Sequence, residues 1–168
     1  MTKSFEDLQS AFAGESQANR RYLAFAKKAD EEGYPQAAKL FRAAAAAETI
    51  HALNHLRAMG EVKSTEENLR TAIAGENYEA VKMYPAFMID AEAEGERKAL
   101  NSFRMAWEVE KVHEALYCKT LEMMKELDEK APVIDYYVCP VCGYTHEGGA
   151  PDKCPVCGTA GKRFERIE

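Results

Sequence analysis

The sequence predicts an all-α four-helix bundle followed by a small C-terminal metal-binding domain of strands and loops. Three observations carry that prediction. Helical periodicity fills residues 4–128 and is broken only at Gly33, at Gly60 with the short connection after it, and at Gly95. The first half of this stretch is repeated in the second. Beyond it, four cysteines form two Cys-x-x-Cys pairs, Cys139 with Cys142 and Cys154 with Cys157.

The first helix is expected from about Ser4 to Glu32, with Phe5, Leu8, Phe12, Glu15, Asn19, Tyr22 and Phe25 recurring at three- and four-residue steps. Ser4 with Asp7 reads as a capping box. Gly33-Tyr34 breaks the helix, and Pro35 suits the first turn of the next. That second helix runs to Met59, and its Ala43–Ala47 run favours close approach by a neighbour. Thr65 reads as the N-cap of the third, with Glu66 and Glu67 in its first turn. The third runs to Glu94 and is expected to bend at Pro85, which lacks a backbone donor. The fourth runs from Glu96 to Asp128. The domains expected are the bundle at 1–130, a linker at 131–134 containing Pro132, and a Gly-, Pro- and Cys-rich module at 135–168.

The repeat has an offset of 62: Gly33 to Gly95, Phe41 to Phe103, Arg42 to Arg104, Glu48 to Glu110, His51 to His113. Glu15 to Glu76 is an offset of 61, which implies one residue fewer in the third helix before its turn, or a register slip. Each half thus supplies one Glu and one Glu-x-x-His, the second pattern putting both side chains on one helix face. A Glu from each of two helices and Glu-x-x-His from each of two others is the donor set of a two-metal carboxylate site in a bundle. Glu79 lies three residues after Glu76, where the first half has Ala18, and adds a seventh donor on one side only. The candidate metal ligands are therefore Glu15, Glu48, His51, Glu76, Glu79, Glu110 and His113. Five converging carboxylates need compensating cations. Carboxylates with one imidazole per metal suit iron or manganese. Helical spacing offers Tyr22, Tyr84, Tyr117 and His55 as groups that orient those carboxylates. Trp107 and the helix methionines read as packing, and Cys118 as a buried lone thiol.

The two cysteine pairs have eleven residues between them. Each Cys-x-x-Cys turns its amides toward the sulfurs, so Cys139, Cys142, Cys154 and Cys157 read as a tetrahedral four-sulfur site. Iron there carries single electrons, while zinc serves only as a clip, and spacing does not choose. A module this small depends on its metal to fold.

Bulk properties exclude other classes. The net charge of −6 and the lack of a basic stripe argue against nucleic acid. No apolar run spans a membrane, and the first residues lack the apolar core of a signal peptide, so the cytoplasm is expected.

In its order of parts the chain resembles the rubrerythrins, a ferritin-like di-iron bundle followed by a rubredoxin-like domain. The resemblance rests on Ala13-Gly14-Glu15, Glu48-Thr49-Ile50-His51, Ala74-Gly75-Glu76 with Glu79, Met83-Tyr84-Pro85, Glu110-Lys111-Val112-His113 and both Cys-Pro-Val-Cys-Gly knuckles. It implies a di-iron peroxidase that reduces hydrogen peroxide to water. Electrons would arrive through the four-cysteine iron from an NAD(P)H-linked reductase or a rubredoxin. It further implies a homodimer or higher oligomer, with one subunit's rubredoxin-like iron near the partner's di-iron site. A redox-linked exchange of Glu79 for His51 at one iron is also implied. Iron oxidation and storage is the alternative activity, and zinc is a possible substitute metal in isolated protein.

Overall fold

The computed structural model describes residues 2–126 and 133–168. Contacts group the chain into two compact units, Met1–Lys63 and Ser64–Glu168. Four helical rods and a small strand-and-loop module are present, as expected.

The first unit is a helical hairpin of α1 (Lys3–Glu31) and α2 (Pro35–Ala58). Thr2, not Ser4, caps α1: it stands in extended backbone and its hydroxyl accepts the Phe5 amide. Ser4 is already helical, and Asp7 instead pairs with Lys3 at 2.7 Å. The turn is closed by Gly33 at φ 80°, a left-handed conformation that costs other residues a clash at Cβ. Among the described residues of this unit, every fully buried side chain is alanine: Ala26, Ala29, Ala38, Ala45 and Ala52. Small side chains let two helix axes approach closely, which is the use of the alanine run in α2. Asn19 then crosses the seam, donating to the Ala45 carbonyl at 2.7 Å and to Thr49 Oγ1 at 2.9 Å.

The second unit begins with α3 (Thr65–Tyr78). Its cap is Ser64, one residue before the expected Thr65, in a reciprocal capping box with Glu67. The third rod is not continuous α-helix. A π-helical turn, Glu79–Met83, joins α3 to α4 (Tyr84–Ala93), and Tyr84 donates its amide to the Glu79 carbonyl five residues back. This corrects the reading of the 61-residue offset. Glu76 lies 19 residues before Gly95, whereas Glu15 lies 18 before Gly33, so the third rod holds one residue more. The π turn absorbs it. Beyond that turn the halves are back in step. Tyr22, Phe25 and Phe41 stack with centroids at 6.4, 6.2 and 5.6 Å, and Tyr84, Phe87 and Phe103 at 6.3, 6.2 and 5.5 Å.

Helix α5 (Arg97–Glu126) packs against α3 and α4. The end of the fourth helix toward Asp128 and the first part of the 131–134 linker lie outside the described residues. The C-terminal module is a three-stranded antiparallel sheet of β1 (Tyr136–Val138), β2 (Thr145–Glu147) and β3 (Glu165–Ile167), ordered β2-β1-β3. It rests on α5 of its own unit. Lys119 pairs with Glu147, and a Cβ at Gly143 would sit 3.9 Å from Val109. Among the described residues no helix is long and apolar enough to cross a membrane.

Candidate metal centres

In the first unit α1 presents Glu15 to Glu48 and His51 on α2, and one donor atom from each lies within 4.8 Å of the others. The three-residue step puts His51 Nδ1 2.8 Å from Glu48 Oε2. The second unit builds the same triad from Glu76 on α3 and Glu110 and His113 on α5, again within 4.8 Å. His113 Nδ1 lies 3.0 Å from Glu110 Oε2 and 3.7 Å from Glu76 Oε1. Both triads sit where the repeat places them, and each turns Nδ1 inward.

Glu79 occupies the π turn, half-buried. It stands outside the tight triad, yet its carboxyl is pushed up by burial and by the Glu110 charge, with His113 partly offsetting them. Glu76 is pushed up to about 7, first by burial and then by Glu110, Glu79 and Glu114. The Tyr84 hydroxyl is raised too, by burial and by the charges of Glu79, Glu110 and Glu76, so it stays protonated beside them. Tyr22 holds the matching place in the first aromatic cluster. Tyr117 is 37% exposed and lines a cavity of about 390 Å³ with His113, Leu69 and Tyr136. His55 is half-buried on α2, and Cys118 is a free, half-buried thiol rather than a fully buried one.

Two partners escaped the sequence reading because they are distant in the chain. Trp107 donates its indole N–H to the Ala80 carbonyl at 2.7 Å. Thr145 of β2 lies 3.0 Å from His113 Nε2 and 3.2 Å from the Gly143 carbonyl. Nothing in local spacing marks either contact.

The donors fit a cation. Thr145 has one hydroxyl proton, and the Gly143 carbonyl can only accept it. With that proton given to Gly143, the hydroxyl oxygen is open to Nε2–H from His113. In that tautomer Nδ1 is unprotonated and faces the oxygens of Glu110 and Glu76. A metal ion completes such a set, and carboxylate with imidazole is a donor set that suits iron.

The cysteine site is formed by two equivalent turns. Cys139 donates its amide to Tyr144 and accepts from Gly143; Cys154 donates to Thr159 and accepts from Gly158. Gly143 and Gly158 take φ 82° and 77° to make that possible. Cys139 Sγ is 3.6 Å from Cys157 Sγ, and Cys142 Sγ is 3.5 Å from Cys154 Sγ. Burial pushes the Cys157 thiol up, but the Thr159 hydroxyl and amide outweigh it and bring it down to about 6. Burial also acts on Cys139, where the amides of Cys142 and Val141 more than offset it, while at Cys142 burial prevails and raises the thiol. Four sulfurs in this arrangement, with low thiolate cost at two, suit a tetrahedral metal.

Comparison with known proteins follows the same division. The rubrerythrin family model matches residues 6–121, and the model of the rubrerythrin rubredoxin-like domain matches residues 137–165. The chain is 40% identical to nigerythrin of Nitratidesulfovibrio vulgaris, over 92% of this chain and 81% of that one. It is 35% identical to rubrerythrin-2 of Clostridium acetobutylicum, over 98% and 96%. The fully reduced, all-ferrous state of nigerythrin is similar in structure, with a TM-score of 0.58 at 35% identity, covering 99% of this chain and 88% of that chain.

Proposed function

Because the chain belongs to the rubrerythrin family, we propose that it reduces hydrogen peroxide to water at a di-iron site fed with electrons by its four-cysteine iron. Its cofactors are iron at both kinds of centre. The observation that supports the reading most is the presence on one chain of two Glu/Glu-x-x-His triads and a four-sulfur cluster. A storage protein that only oxidises iron has no need of the second.

Glu15, Glu48 and His51, with Glu76, Glu79, Glu110 and His113, would hold the iron pair; Cys139, Cys142, Cys154 and Cys157 would hold the single iron. When bound, a carboxylate-held iron pair supplies two one-electron donors and Lewis acidity for cleaving an O–O bond. The chain's own groups handle protons and position. With its proton on Nε2, toward Thr145, His113 would offer Nδ1 inward. Peroxide reduction consumes two protons, and the Tyr84 hydroxyl, which burial and the neighbouring carboxylates keep protonated, stands beside the site as a proton donor. Glu79, the donor without a counterpart, and His51 are the groups suited to a redox-linked exchange of ligands. The helical part at 1–130 would thus do the chemistry, with 131–134 as connector and 135–168 as electron inlet. Electrons would come from an NAD(P)H-linked reductase or a rubredoxin, in a cytoplasmic homodimer or higher oligomer.

Anaerobically reduced, iron-loaded protein should regain the red ferric four-thiolate absorption rapidly when hydrogen peroxide is added. Steady peroxide consumption with a chemical reductant should accompany it. Iron accumulating as mineral, with no catalytic peroxide consumption, would overturn the proposal.

A further inference from the structure

The cysteine module touches the second triad through one hydroxyl. Thr145 opens β2, three residues after Cys142, and its Oγ1 lies 3.0 Å from His113 Nε2 and 3.2 Å from the carbonyl of Gly143. Gly143 is itself part of the first knuckle: its amide donates to Cys139 at 3.0 Å, and Cys142 precedes it in the chain. The contact is held in place. Val109, 2% exposed, lies under Gly143, and the Lys119–Glu147 pair fixes the far end of β2 to α5.

We propose that Thr145 is a positioning residue that fixes the tautomer of His113 and joins it to the first cysteine knuckle of the same chain. Two physical points support this. A neutral imidazole carries one proton on either nitrogen, and the hydrogen bond made by one nitrogen decides what the other can bind. Thr145 accepts from Nε2, so Nδ1 is free as a donor atom toward the site of Glu76 and Glu110. The same hydroxyl donates to Gly143, so one unbroken hydrogen-bonded route runs from the knuckle backbone to the imidazole. With iron bound, the route would link a ferrous iron held by the four cysteines, which would become ferric, to a ferric iron held by His113, which would become ferrous. The electron route rests on the di-iron reading above; the tautomer does not.

Thr145→Val keeps the side chain's shape and removes the hydroxyl; Thr145→Ser keeps the hydroxyl. The first readout uses the full-length zinc-loaded chain with nitrogen-15 histidine. The His113 Nε2 proton should be slow to exchange in the parent and in Thr145→Ser, and should exchange rapidly in Thr145→Val. The second follows the iron-loaded chain after reduction. Reoxidation of the four-thiolate iron by peroxide should slow by about tenfold or more in Thr145→Val, as for other groups that orient metal ligands, and recover in Thr145→Ser. An intact ferric four-thiolate spectrum shows that the module is folded in each variant. An unchanged His113 proton in Thr145→Val overturns the tautomer role, and an unchanged rate overturns the route. Failure of the parent itself to reoxidise with peroxide would instead overturn the proposed function, leaving the first readout standing.

Discussion

Trp107 and Ala80 are joined by a hydrogen bond that the π turn makes necessary. In an α-helix the Ala80 carbonyl would accept from residue 84, and in a π turn from residue 85. The amide of Tyr84 goes to Glu79, and residue 85 is proline and has none. The acceptor is left over in a residue only 7% exposed. The indole N–H of Trp107, on α5, fills it at 2.7 Å. Trp107 thereby fixes the rod at the turn that carries Glu79.

Trp107→Phe should therefore cost more than packing. It strands a buried carbonyl, which typically costs about 1–3 kcal/mol. Chemical unfolding followed by helical circular dichroism would measure that loss. The variant should also lose part of its iron while the red four-thiolate absorption stays intact. A variant as stable as the parent would mean that water replaces the indole.

The legibility of the chain divides at contacts that are local and contacts that are not. Glu15, the two Glu-x-x-His pairs and the two Cys-x-x-Cys knuckles could be read because helix period and tight-turn spacing place them without knowledge of the fold. The sequence also signalled that the third rod is irregular, through the mismatch of offsets 61 and 62, but not its direction. An extra residue within a helix leaves the hydrophobic period almost unchanged, so the π turn looked like a shorter rod with a bend at Pro85. The caps at Thr2 and Ser64 were missed because the neighbouring Ser4 and Thr65 are equally good cap formers. Thr145 and Trp107 could not be read at all: their partners lie 32 and 27 residues away.

Glu79→Ala tests the asymmetry between the halves. It removes the one carboxylate without a counterpart and leaves both triads complete. Metal analysis should find the iron content of the variant near that of the parent. Peroxide turnover should fall by about tenfold or more, the scale of losing a group that acts in the reacting state. Equal turnover in the two proteins would remove Glu79 from the chemistry.

Gly161→Ala should disable the cysteine module alone. A Cβ there would fall 1.7 Å from the carbonyl oxygen of Pro151, a backbone atom that no rotamer change can clear. The glycine amide also bonds Asp152 at 2.8 Å, so the two strands of chain cannot part without losing that bond. The cost is at least the about 1–3 kcal/mol of an overpacked site. Bleaching of the four-thiolate absorption on mild heating, with helical signal retained, is the expected result.

Removing metal should give the helical part a pH dependence that the loaded protein lacks. Without a cation, Glu76 in the folded chain takes up its proton near 7 against an ordinary value of 4.5, because burial and the nearby Glu110 oppose its charge. The folded state then binds more protons than the unfolded one between those values. The stability that Glu76 contributes to the metal-free chain is fully present below the lower value and is lost as pH rises through the upper one. A bound divalent ion reverses the sign, since it favours the ionised carboxylates, and protons compete with it below about pH 7. Thermal unfolding of chelator-treated protein across this range should show the midpoint falling as pH rises, and Glu76→Gln should flatten the curve. A metal-free midpoint that rises over the same interval would mean that Glu76 is ionised and paired in the folded chain.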